Sequence, residues 1–198
     1  MQTAQRTPLI SIMLRPAYAY RALAALRVER KWGAVRGPLL LLFWLGCSLS
    51  LITSQRLGLR LVAAGMINLS FVPLVEIFAL FVVWRGVRPI SFSRAVDLFF
   101  LGHGPWMIGM LGYAAIWTLF APVHAMAITA TRHIAPILLV AALWSGYIDY
   151  CFFRYVFNRS RARAGADLIL ERAIAWGLGM IIYGGGVLPS QMSGMLRS

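Results

Sequence analysis

The sequence predicts an all-α integral membrane protein, a bundle of five transmembrane helices with an N-terminal interfacial amphipathic helix. Three observations predict it. First, 60% of the 198 residues are hydrophobic and 13% charged, and the mean hydropathy is +0.74. A soluble domain of this size has too little interior to hide that much apolar side chain. Second, five apolar runs, at 38–54, 61–84, 99–121, 134–153 and 169–183, approach or exceed the roughly 20 helical residues that cross about 30 Å of hydrocarbon. Third, the basic residues gather between alternate runs.

Residues 1–36 read as a basic cytoplasmic or interfacial segment. In "RPAYAYRALAALRVER", Pro16 stands where a helix can begin. Tyr18, Tyr20 and the arginines suit the headgroup layer, where each cation gains about 1 kcal/mol from anionic lipid headgroups. Seven Lys and Arg precede the first run, so the start is expected to be retained and not cleaved as a signal peptide. Residues 37–190 form the five-span domain and 191–198 a short external tail. Between the second and third runs, "RGVRPISFSRAVDLFF" gives a turn at Pro89 and then Ser91 or Ser93 as a helix N-cap. After the fourth run, Ser160 serves the same purpose for a helix that continues into the fifth. Cys47 and Cys151 fall in different runs with no CxxC or Cys/His neighbourhood, and are expected to be small buried hydrophobes.

A net charge of +13 would suggest nucleic acid in a soluble protein. Here it gives orientation. If the runs alternate across the membrane, 15 of the 19 Lys and Arg share one side and 4 lie on the other. The positive-inside rule then places the N-terminus in the cytoplasm and the C-terminus outside, as in a multi-pass bacterial inner-membrane protein. The expected surroundings are the lipid bilayer, anionic headgroups, and other membrane proteins or further copies of the chain; nucleic acid is not among them.

This orientation gives depth to the few polar residues inside the runs. From the cytoplasmic ends, Glu76 is about 12 Å in, His103 about 6 to 8 Å and Asp149 about 6 Å, at 1.5 Å per helical residue. Ionisable groups at such depth face protein or water. They form a candidate polar cluster with Arg154 or Arg172 neutralising a carboxylate from the rim. Two readings follow, a proton or ion relay and a set of hydrogen-bonded packing pins; the absence of acids from the outer half favours the pins. Small residues mark the expected helix contacts: Gly65 with Asn68 on the face of Glu76, Pro105, Gly109 and Gly112 in the third run, Ala142 and Gly146 in the fourth, Gly177 and Gly179 in the fifth. His124 and His133 lie near the outer surface with no nearby carboxylate, so no metal or haem is expected on them. No GxSxG, HExxH, GxxxxGK[ST] or Asp-rich motif occurs, and neither an enzyme nor a cofactor is expected.

The stretch "FFLGHGPWMIG" places His103 between Gly102 and Gly104, just before Pro105. A proline inside a helix removes one backbone donor and crowds the carbonyl one turn earlier, here that of Leu101. A kink is expected, with His103 bonding the freed carbonyl. Three stretches together, "LRPAYAYRAL", "FFLGHGPWMIGML" and "LWSGYIDYCFFRYVFNRSRARAGADL", resemble the Yip domain family of five-span membrane proteins in their Pro-led amphipathic start, early third-span proline, and Trp-led fourth span with a basic close. The resemblance implies membrane organisation or trafficking. The expected function is that of a non-enzymatic scaffold or accessory subunit binding other membrane proteins. A transporter or channel component using the inner-leaflet polar cluster, and a small structural subunit of a larger complex, are the alternatives.

Overall fold

The computed structural model describes residues 9–26, 32–85, 90–120 and 124–195, with the side chains of 9, 120, 124–135, 137 and 183–195 outside that description. Among the described residues the chain is helical throughout and has no strand. Its α-helices are α1 (Leu9–Leu14), α2 (Pro16–Ala25), α3 (Gly33–Ser54), α4 (Leu59–Asn68), α5 (Phe71–Trp84), α6 (Phe92–Phe100), α7 (Gly104–Phe120), α8 (His124–Tyr155) and α9 (Arg161–Met195). A 3-10 turn, Leu101–His103, joins α6 to α7. The Pro89 turn, and the side chains of His124 and His133, lie outside the described residues.

Local chemistry sets several of the boundaries. Pro16 opens α2, where its missing N–H would have had no partner in any case. Ser91 and Ser160 cap α6 and α9, their hydroxyls accepting from the amides of Arg94 and Arg163 at 3.4 and 3.3 Å. The second apolar run is two helices, α4 and α5. They part at Leu69–Ser70, and Pro73 falls in the first turn of α5, where no helical donor is lost. Pro105 likewise falls in the first turn of α7, and the backbone just ahead of it tightens into the 3-10 turn Leu101–His103 between α6 and α7. α9 continues through 191–195.

α3 is the central helix, packed against α4, α5, α6 and α7, while α5 lies along α9 and α7 along α8. Close approach concentrates at a few glycines. A Cβ on Gly37 would sit 2.5 Å from Phe100 Cβ, one on Gly46 2.6 Å from the Val62 carbonyl oxygen, and one on Gly109 2.8 Å from Ala141 Cβ. Gly65 faces Gly46 across the α3–α4 contact at 3.0 Å. Thr118 ties α7 to α3 by donating to the Leu51 carbonyl at 3.1 Å. Cys47 and Cys151 are buried free thiols.

The N-terminal helices α1 and α2 pack one face on the core and leave the other exposed. Ile12, Ala19 and Tyr20 are fully buried while Tyr18 remains exposed, so only one of the two tyrosines is placed for a headgroup layer. The Tyr20 hydroxyl donates to the Leu98 carbonyl, Trp144 Nε1 donates to the Met13 carbonyl, and Arg94 Nη2 donates to the Leu23 carbonyl. Burial pushes the Tyr20 phenol well above its ordinary pKa, which keeps it a neutral donor.

Among the described residues two stretches are long and apolar enough to cross a membrane: α3, of 22 residues, and Leu59–Trp84, of 26 residues, formed by α4 and α5 together. At 1.5 Å per residue α3 spans about 33 Å, the thickness of a hydrocarbon core. The most apolar windows of the two stretches are only 39% and 33% buried. The central helix of a soluble protein would hide most of such a window. Here Leu39, Leu40, Phe43, Leu74 and Phe78 face outward.

Candidate functional site

Five ionisable side chains from four elements meet inside the bundle. α5 supplies Glu76, the 3-10 turn His103, α8 Asp149, and α9 both Glu171 and Arg172. Their placement follows from the breaks already described. The interruption at Leu69–Ser70 turns the Glu76 face of α5 inward, and the 3-10 turn before Pro105 aims His103 at it. His103 Nε2 and Glu76 Oε2 are 3.0 Å apart, in ion-pair contact though not aligned as a good hydrogen bond. On the other side of the ring, Nδ1 lies 3.3 Å from the Phe99 carbonyl. A carbonyl only accepts, so Nδ1 carries a proton. His103 therefore bonds Phe99 and not the Leu101 carbonyl expected from the proline.

Arg172 holds the second half of the cluster. Its Nη2 is paired with Asp149 Oδ2 and also donates to the Ser145 hydroxyl at 3.2 Å, while its Nε lies 3.4 Å from Glu171 Oε2. Asp149 and Glu171 are completely buried and His103 is 1% exposed. The surroundings are aromatic. His103 stacks on Phe100 at 4.9 Å and meets Phe99 edge-on at 5.0 Å, and Phe99 continues through Phe152 to Tyr20. Such walls make a low-dielectric site, where paired charges bind strongly and unpaired ones are expensive.

The N-terminal segment closes this site. A Cβ on Gly102 would stand 2.8 Å from the Tyr20 hydroxyl and 2.9 Å from Ile148 Cγ2, and one on Gly104 would stand 2.9 Å from Met13 Sδ. The 3-10 turn is thus covered by α1 and α2 at the two positions where glycine leaves room. This answers why two glycines flank the histidine: they admit neighbouring side chains to the backbone on either side of it.

Of the residues singled out in the sequence, Glu76, His103, Asp149 and Arg172 come together. Arg154 does not join them. Its Nη1 donates to the Arg159 carbonyl and its guanidinium lies over the Tyr155 ring, closing the turn between α8 and α9. In that turn Asp167 pairs with Arg159 at 2.9 Å and with Arg163 at 3.5 Å. Among the expected contact residues, Gly65, Pro105 and Gly109 are buried and Ala142 half-buried. Among the described residues, an added Cβ at Gly112, Gly146, Gly177 or Gly179 meets nothing within 4 Å. Asn68 is exposed, because the break after it shifts the helical phase.

Sequence reasoning missed Glu171 and Ser145. The signal for Glu171 was present: Ala164, Asp167, Glu171 and Ala175 recur at three- and four-residue steps, and all four are buried. Among the described residues, no three His, Cys, Asp or Glu side chains are placed to share a metal ion. What the described residues define is a helical protein with a cluster of paired charges in its interior and two stretches long and apolar enough to cross a membrane. No family model, curated protein or solved structure matches the chain.

Proposed function

We propose that the chain is a five-span inner-membrane protein with a cytoplasmic N-terminus, acting as a non-enzymatic scaffold or accessory subunit that binds other membrane proteins. One observation carries this reading: the five ionisable groups within the apolar helices meet one another in the interior, while large apolar side chains face outward. Leu39, Phe43, Leu143, Trp176 and Ile181 project outward from α3, α8 and α9. In a bilayer such faces meet lipid tails or neighbouring helices. Trp32, Val35, Arg36, Leu39 and Leu40 line a shallow apolar groove on α3, a shape that suits an apolar neighbour. The resemblance of three stretches of the sequence to the Yip domain family points the same way.

Gentle detergent extraction followed by affinity capture tests the role. Stable co-purifying membrane proteins, present at fixed ratio, are the expected result; a chain that is always recovered alone overturns it. Topology is tested separately by reporter fusions after Gln55, in the α3–α4 turn, and after Asn158, in the α8–α9 turn. The two are expected to report the outer and the cytoplasmic side respectively. If both report one side, the span count is wrong.

A second reading, a transporter or channel component, draws on a different observation. Two of the three carboxyls in the core have a close cationic partner, and Glu171 shares one already engaged.

A further inference from the structure

The core holds three carboxyl groups and two bases. Glu76 closes with His103 and Asp149 with Arg172. Taken as the ion pair that the 3.0 Å contact makes, protonated His103 with the Glu76 carboxylate is neutral overall, and so is Arg172 with Asp149. Glu171 is the fifth group. It is completely buried, neither of its oxygens has a hydrogen-bond partner, and its ion-pair contact is the Nε edge of a guanidinium already engaged by Asp149. The charged and titratable groups near enough to act on it are Arg172 from its own helix, Asp149 from α8, Glu76 from α5 and His103 from the 3-10 turn. With every group ionised the cluster would bury one net negative charge behind aromatic walls, an arrangement that low-dielectric surroundings strongly disfavour.

We propose that Glu171 is a binding site for one exchangeable proton, whose presence makes the five-group cluster neutral. Binding forms an O–H bond at one carboxyl oxygen with a proton taken from water; release returns that proton to water and leaves a carboxylate that competes with Asp149 for Arg172. The site needs no other reactant. It stands whether the bundle serves as a scaffold or moves a solute, because it rests on the charge count of the core alone.

Infrared difference spectroscopy of the full chain in lipid nanodiscs tests this. The chain has three glutamates, Glu29, Glu76 and Glu171, so carbon-13 labelling of glutamate separates their bands from those of aspartate without altering the fold. The expected result is one protonated carboxyl per chain at neutral pH that shifts on glutamate labelling, persists in Glu76→Gln, disappears in Glu171→Gln and does not depend on sodium. A wild-type protein with no protonated carboxyl band overturns the proposal. So does a band that moves with aspartate labelling or survives in Glu171→Gln, and so does one that vanishes on adding sodium, which would make the site one for a metal cation. Should Glu171→Gln fail to fold, the labelled wild type and labelled Glu76→Gln decide between the same outcomes.

Discussion

Arg172→Met is expected to destabilise the bundle by about 3–5 kcal/mol, the usual cost of removing one partner from a buried ion pair, or to prevent its recovery in folded form. The arginine is shared: Asp149, Ser145 and Glu171 all lose their contact with it at once. Methionine fills much of the space but leaves the fully buried Asp149 without a counter-charge. The informative comparison is the double variant Arg172→Met with Asp149→Asn, which removes the orphaned charge as well as its partner. Thermal melting in detergent should rank wild type above the double variant and the double variant above the single one. A single variant that melts with wild type would mean that the pair does not hold α8 to α9.

Gly46→Leu should have the largest effect among the helix-contact positions, because the atom it meets is backbone. Its Cβ would stand 2.6 Å from the Val62 carbonyl oxygen, with Met66 Cγ at 2.9 Å. A carbonyl in the middle of α4 cannot rotate aside, so α3 and α4 must separate. Overpacking of this kind typically costs about 1–3 kcal/mol, and separating two helices costs more. Gly112→Leu is the matched control, since nothing lies within 4 Å of its added carbon. Melting curves should show a clear drop for Gly46→Leu and little change for Gly112→Leu; equal losses at both would refute the helix contact.

How much of this was legible in the sequence depended on the length scale of the signal. Features fixed by one or two residues could be read directly: the prolines at 16 and 105, and the serine caps at 91 and 160, act through their own backbone and hydroxyl geometry. Features that depend on helical phase were read less well. The face drawn through Gly65, Asn68 and Glu76 assumed one unbroken helix, and the break at Leu69–Ser70 turned Asn68 outward. In α8 the buried face runs through Ala141, Ser145, Ile148 and Phe152 as well as Asp149 and Phe153. The stripe of Ala142 and Gly146 marked its edge, one residue out of phase. Small residues drew that reading because close packing favours them, but an added Cβ at Gly146, Gly177 or Gly179 meets nothing within 4 Å. Glu171 escaped notice because the neighbouring Arg172 was the more obvious partner for an acid, although the stripe from Ala164 to Ala175 carried it. Tyr20 was out of reach, since its burial depends on residues far along the chain.

That distance has a consequence for how the molecule is assembled. The hydrogen bond from Tyr20 reaches a carbonyl 78 residues downstream, and the one that Met13 accepts comes from a tryptophan 131 residues downstream. Translation delivers α1 and α2 first, yet the turn, the glycines and the indole that seat them do not exist until most of the chain has been made. Until then the exposed arginines and tyrosines of this segment have only water and headgroups to bind. Seating α1 and α2 therefore waits on residues made much later, and their docking closes loops of 78 and 131 residues.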